Sequence, residues 1–199
     1  MSTNLNPQGA VERRAFVSQL IAATPDALVI SGLGSPSYDV FAAGDRDHNF
    51  YLWGAMGGAA ALGLGLALAQ PERAVLVITG DGEQLMGVGT LGTIGAKQPP
   101  NLTILVLDNG HFGETGMQRS HTSLGTDLVA VARGFGIREA FSVRETGQAG
   151  EVAERVRARR GVTFVQAFIS PDEPPRALPP RDGVHVKNRF RAALGLQPF

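Results

Sequence analysis

Hydrophobic and polar positions alternate along this chain with two different periods. From Gly9 to Ala23, Val11, Phe16, Leu20 and Ile21 fall on one side of a helix. "ALVISG" (Ala27–Gly32) is a short apolar run ended by glycine, which predicts a strand. "GLGSPSYD" (Gly32–Asp39) is punctuated by glycine and proline and reads as a loop. Met56 to Ala69 is apolar all round, predicting a helix buried on every side and stopped by Pro71. "RAVLVITGDG" (Arg73–Gly82) and "LTILVLDN" (Leu102–Asn109) are apolar on both faces, as central parallel strands are. Between them Glu83 to Lys97 reads as a helix and "QPPN" as a turn. Gly110 to Gly125 is a polar, glycine-rich loop. Then follow a helix (Asp127–Phe135), a strand ("EAFSV"), a charged amphipathic helix (Gly147–Arg160) and a last strand ("GVTFVQAFIS"). A proline-rich arm spans Pro171 to Pro180, and Val186 to Leu194 predicts a short terminal helix.

Strands alternating with helices predict an α/β fold: a three-layer parallel sheet with helices on both faces. No internal repeat is visible. The expected organisation is one α/β domain over residues 1–170, followed by the arm and short helix over 171–199. Ligands of such sheets bind at the carboxyl ends of the strands. Gly80-Asp81-Gly82 and Asp108-Asn109-Gly110 both fall at that edge.

Composition mainly excludes. The 199 residues are 43% hydrophobic, enough for a sizeable core. Lys plus Arg and Asp plus Glu balance at 18 each, which gives no reason to expect a nucleic-acid or acidic-membrane partner. The absence of cysteine removes disulfides, thiolate metal sites and a cysteine nucleophile, and fits a cytoplasmic protein. "MSTNLNPQGAVERR" is polar and unlike a signal peptide. The charge-free stretch Asn49–Pro71 has the length to cross a bilayer, but it is mostly Ala and Gly between soluble segments. A buried helix is the expected outcome.

Asp81 and Asn109 are candidates for a shared task. On adjacent strands their oxygens converge, and an anionic with a neutral oxygen suits a hard cation such as Mg²⁺, which often keeps phosphate among its ligands. Gly80 and Gly82 let backbone amides approach a phosphate, and the helix beginning near Glu83 points its amino end the same way. Either piece alone is most simply a turn. The pair, each after a buried strand and separated by one helix, predicts a metal-bridged diphosphate. "GVGTLG" (Gly87–Gly92) matches a dinucleotide fingerprint, yet its glycines fall inside the helix rather than at the strand end, where close helix-to-sheet packing is the simpler reading. Nicotinamide binding stays as the lesser alternative. No P-loop or G-x-S-x-G elbow occurs.

"GDG" followed by 26 residues and Asn109 resembles the cofactor motif of thiamine-diphosphate-dependent enzymes. That family usually ends the motif in two asparagines, and Asp108 departs from it. "WGAMG" (Trp53–Gly57) resembles the segment that holds the pyrimidine half of the cofactor. "GHFGETGMQRSHT" resembles the small subunits of sulfopyruvate and phosphonopyruvate decarboxylases. The likeness runs from about Asp45 to Thr122. It implies the thiamine-diphosphate-binding fold, with Asp81, the Asn109 side chain and the His111 carbonyl holding Mg²⁺. Gly82 and Glu83 would give amides to the diphosphate; Glu83 stands where many relatives have a small hydroxyl residue. The Gly54 carbonyl would accept from the aminopyrimidine, and Met56 would wedge beneath the bent cofactor, although plain core packing also accounts for that methionine.

In this family a second α/β domain supplies a glutamate that activates the cofactor. The chain has room for one domain only, so the resemblance implies a pyrimidine-domain partner subunit in a hetero-oligomer. The implied reaction converts a small 2-oxo acid, sulfopyruvate- or phosphonopyruvate-like, to an aldehyde and carbon dioxide. His111 and His121 are the candidates for proton transfer or substrate binding. His48, Thr115, Gln118, Arg119 and Ser120 are weaker candidates for substrate contacts. A carboligating synthase is the alternative reaction. A module without cofactor is the alternative of another class.

Overall fold

The alternating runs fold as alternating layers. In the computed structural model, residues 11–170 and 172–197 are described. In chain order the elements are α1 (Arg13–Ala23), β1 (Leu28–Ser31), α2 (Ser35–Ala42), β2 (Asn49–Tyr51), α3 (Ala59–Ala69), β3 (Val75–Gly80), α4 (Asp81–Met86) and α5 (Thr90–Lys97). Next come β4 (Leu102–Asp108), a small hairpin of β5 (His111–Phe112) and β6 (Gln118–Arg119), α6 (Leu128–Gly134), β7 (Glu139–Val143), α7 (Ala149–Ala158), β8 (Thr163–Phe168) and α8 (Gly183–Ala193).

Six strands form one parallel sheet in the order β2-β1-β3-β4-β8-β7. Side chains alternate across it. Val29, Leu76, Ile78, Leu105 and Val165 pack under α1, α2 and α7. Leu28, Ile30, Val75, Val77, Ile104 and Phe164 pack under α3, α5 and α6. Both faces are covered, which is why the strands are apolar throughout. The register sets Gly80 beside Leu107, so Asp81 and Asp108 leave the sheet side by side. After β1 the chain moves to one side for β2 and then to the other for β3. The β1–β3 gap is thus a topological switch point, where open α/β sheets bind ligands.

Local chemistry fixes the element ends. Glu12 caps α1 by accepting from the amides of Arg14 (3.0 Å) and Ala15 (2.8 Å). Asp127 caps α6 through the Ala130 amide (3.0 Å). α8 covers the β2 edge, with Phe190 edge-on to Phe50 at 5.6 Å and Arg189 paired with Asp45 at 2.6 Å.

Several expectations are corrected. Gly32–Asp39 is not all loop. Pro36 lies in the first turn of α2, where proline's missing N–H costs nothing. The helix expected over Glu83–Lys97 is two, α4 and α5. Gly87 between them presses against the Gly57 backbone, and a Cβ there would lie 2.1 Å from the Gly57 oxygen. Gly92 and Gly95 pack against Phe135, not against the sheet. β2 was hidden in a short aromatic run. α3 is 11 residues long and is not buried all round. Ala59, Ala60, Gly63, Leu64 and Ala67 face the sheet, while Leu62 and Leu68 are exposed. Among the described residues no helix is long and apolar enough to cross a membrane. The expected helix over Gly9–Ala23 begins at Arg13; Gly9 and Ala10 lie outside the described residues, as does Pro171 of the arm.

Candidate functional site

β3 ends at Gly80, and Asp81 opens α4 as a buried carboxylate. Ser120 donates a short hydrogen bond to its Oδ2. Thr122 Oγ1 lies 3.3 Å from the same oxygen and 2.8 Å from Asp108 Oδ1, so its single proton serves the nearer carboxylate. Burial, with the Asp108 charge second, raises the Asp81 pKa to about 7.

Asp108 is equally buried. It accepts from the Gly110 amide (2.8 Å) and from Gln166 Nε2 (2.6 Å), so it closes the turn after β4 and ties that turn to β8. Asn109 Oδ1 accepts from the His111 amide (2.9 Å). His111 Nδ1 lies 2.7 Å from the Asn109 carbonyl. A carbonyl only accepts, so Nδ1 carries a proton and donates it there, and Nε2 is the ring nitrogen that this bond leaves over.

Asp81 and Asp108 are thus buried side by side. Among the described residues their hydrogen bonds come from hydroxyl, side-chain amide and backbone donors, none of them cationic. Such a pair is costly unless a cation joins it. Gln84, three residues after Asp81 on α4, is also buried with both side-chain amide atoms unpartnered, though it does not line the cavity described below. These observations fit a bound divalent metal.

A cavity of about 570 Å³ opens at the switch point. It brings together Met56, Gly80, Asp81, Gly82, Glu83, Asn109 and His111. Gly54 sits on the exposed segment beside Met56 but does not line the cavity. His121 is exposed and outside it. His48 precedes β2 at the opposite sheet edge, 3.1 Å from Arg73. Thr115 and Gln118 bond each other, and Arg119 bonds Ser123. Of the weaker candidates, Thr115 lines the cavity and Ser120 reaches the site through Asp81.

Sequence reasoning missed four contributors. The turn into α2 supplies Leu33 and Ser35 to the wall. Arg13 also lines it, held by Asp39 at 2.7 Å. The arm crosses the mouth with Glu173 to Arg176, and Arg176 pairs with Glu114 of the hairpin at 3.4 Å. Phe112 lies over Gly82, where a Cβ would be 2.5 Å from its ring, so the close approach at this glycine is made by that ring. Glu83 is not a phosphate-facing side chain. It turns inward and accepts from Thr79 Oγ1 (2.9 Å), the Leu33 amide (3.1 Å) and the Ala59 amide (3.3 Å).

The chain is similar to several known proteins. Phosphonopyruvate decarboxylase of Streptomyces viridochromogenes is 40% identical over 192 residues, covering 94% of this chain and 47% of that protein. Sulfopyruvate decarboxylase subunit beta of Methanococcus maripaludis is 33% identical over 185 residues, covering 92% of this chain and 97% of the subunit. The subunit beta of Methanocaldococcus jannaschii is 44% identical over 110 residues, covering 55% of this chain and 58% of the subunit. The chain therefore spans about half the length of most of these relatives. An X-ray structure described as a thiamin diphosphate-dependent enzyme from Mycobacterium smegmatis superposes with a TM-score of 0.69 at 24% identity, over 81% of this chain and 32% of the other; that likeness speaks for the fold. The family of the thiamine pyrophosphate enzyme C-terminal TPP binding domain matches residues 37–167, from α2 to β8, and the chain belongs to it.

Proposed function

We propose that this chain is the thiamine-diphosphate-binding subunit of a two-subunit decarboxylase. Its substrate is a small 2-oxo acid of the sulfopyruvate or phosphonopyruvate kind, released as an aldehyde and carbon dioxide. The observation that carries this reading is the single cavity holding Met56, Gly80–Glu83, Asn109 and His111, three separated pieces of sequence in one place.

Asp81, the Asn109 side chain and the His111 carbonyl would hold Mg²⁺. Ser120 and Thr122 both approach Oδ2 of Asp81, which leaves Oδ1 without a hydroxyl donor. The amides of Gly82 and Glu83 would meet the diphosphate, with the buried Arg13 as a nearby cation. The Gly54 carbonyl and Met56 would receive the pyrimidine and the bend of the cofactor at the open rim, where Met56 is 40% exposed. When bound, the cofactor supplies the electron sink for loss of carbon dioxide. His111 Nε2 would hold or pass a proton. His121 lies too far out for that task without movement of its loop.

The rim is where a partner belongs. Met86 is 63% exposed at the rim, and from there the outward face of α3 runs back along the sheet with no polar side chain between Ala61 and Ala69, to Leu68, 52% exposed at its far end. Such apolar surface marks a protein interface. We assign it to a pyrimidine-domain subunit that brings the activating glutamate. The cysteine-free chain suits the cytoplasm.

The test is carbon dioxide release from sulfopyruvate, phosphonopyruvate and pyruvate by the chain alone, the partner alone and both together, with thiamine diphosphate and Mg²⁺. Release by the pair only is expected. Turnover by the chain alone contradicts the split site. Cofactor held without release moves the reaction toward carboligation.

A further inference from the structure

Glu83 is 4% exposed, yet it sits on the first turns of α4 at the cavity wall. A buried carboxylate is expensive unless its oxygens are fully used. Here they are. Oε2 accepts from Thr79 Oγ1 at 2.9 Å and from the Leu33 amide at 3.1 Å. Oε1 accepts from the Ala59 amide at 3.3 Å. These donors belong to three segments far apart in sequence: the end of β3, the turn from β1 into α2, and the first residue of α3. The fit leaves no slack, since a Cβ on Gly32 would lie 1.7 Å from Oε2.

α3 has no cap of its own. Its N-cap is Gly58, with no side-chain hydrogen bond, and of its first amides Glu83 takes up that of Ala59. The segment just before that amide is Trp53–Gly58. It is tied to β1 at its start by the Leu52 amide, which donates to the Ser31 carbonyl at 3.0 Å. Between these ties it turns on Gly54 and Gly57, both at positive φ, 69° and 92°. Its placement is set on one side by that strand-end bond and by Trp53 Nε1, which donates to the Pro180 carbonyl at 2.9 Å, and on the other by the Gly87 backbone against Gly57 and by the Glu83 carboxylate at the Ala59 amide.

We propose that Glu83 is a positioning residue: its side chain fixes the height of the Gly54–Met56 segment over the cavity and thereby sets the affinity for thiamine diphosphate. This rests on the function proposed above. It adds that α4 contributes an inward-facing tether besides its backbone amides.

The experiment compares wild type with Glu83→Ala, Glu83→Gln and Thr79→Val, each co-purified with the partner subunit. Trp53 is the chain's one tryptophan and lies in the tethered segment, so its emission reports the segment directly. In cofactor-free protein, Glu83→Ala is expected to shift Trp53 emission and speed hydrogen exchange at the Leu33 and Ala59 amides. With Mg²⁺ and thiamine diphosphate, it should weaken binding by about 10-fold or more, as loss of a supporting residue does around bound groups. Glu83→Gln keeps the shape but turns an NH₂ toward a donor, so an intermediate loss is expected. Thr79→Val removes one donor and should cost least. If Glu83→Ala does not fold, the other two variants carry the test. Wild-type emission, exchange and affinity in the variants would overturn the proposal. So would weaker binding with unchanged Ala59 exchange, because the effect would then not run through α3. If wild type binds no cofactor, the functional reading fails, while emission and exchange still decide whether Glu83 holds the segment.

Discussion

Asp81 concentrates the site's electrostatics. Its folded pKa, near 7, lies above that of an unfolded carboxylate because of burial first and Asp108 second. A raised acid pKa stabilises the fold fully below about pH 4, and that contribution is lost as pH rises through 7. Metal-free protein should therefore lose stability between about pH 4 and 7, and Asp81→Asn should lose less of it. At pH 8 and without metal, thermal melts should place Asp81→Asn above wild type by roughly 2–8 °C. The same substitution should abolish Mg²⁺-dependent cofactor retention, and in wild type that retention should weaken as pH falls below 7, since the ligand must be ionised. A variant that melts lower than wild type in metal-free buffer would contradict this assignment. Gly82→Ala meets the Phe112 ring at 2.5 Å and should displace the hairpin; a melt and cofactor affinity within error of wild type would exclude that contact. Asp81 and Asn109 were legible because spacing after two strands brings them together. Glu83's side chain was not, since its partners Leu33 and Ala59 are distant in sequence. His121 stands outside the cavity for a local reason. Ser120 and Thr122 both turn toward Asp81, which leaves the residue between them facing outward.

Among the elements, the central strands and α6, α7 and α8 follow from runs and caps visible in the chain. α2 was masked by Pro36, which serves equally as loop punctuation or as a helix start. The α4–α5 break was masked because the need for Gly87 lies in its contact with Gly57, not in its neighbours. α3 shows where an apolar sequence and a buried helix part company. One half of its surface packs on Val77 and Leu102 through Gly63, and the other half is apolar and uncovered. Leu68→Lys touches no core contact, so the chain should fold and melt within about 1–2 °C of wild type, as surface changes usually do. It should nevertheless fail to co-purify with the partner subunit proposed above. Normal co-purification would remove α3 from the interface.

For the whole molecule, parallel topology was predictable from alternation, but strand order was not, because β1, β2 and β3 are linked by similar crossovers in sequence. The order matters: it creates the gap between β1 and β3 in which the motif residues meet. It also exposes one side of that gap, with Met56 and Met86 at the rim. The molecule holds a cofactor cradle on one domain and an open apolar edge beside it. The central claim is that this cradle binds thiamine diphosphate through a divalent metal. Equilibrium dialysis of the co-purified pair against labelled thiamine diphosphate, with Mg²⁺ and with chelator, tests it most directly. The account predicts one cofactor retained per copy of this chain with Mg²⁺ and loss of retention with chelator or in Asp81→Asn. Absence of retention with Mg²⁺, or retention indifferent to the metal, would contradict it.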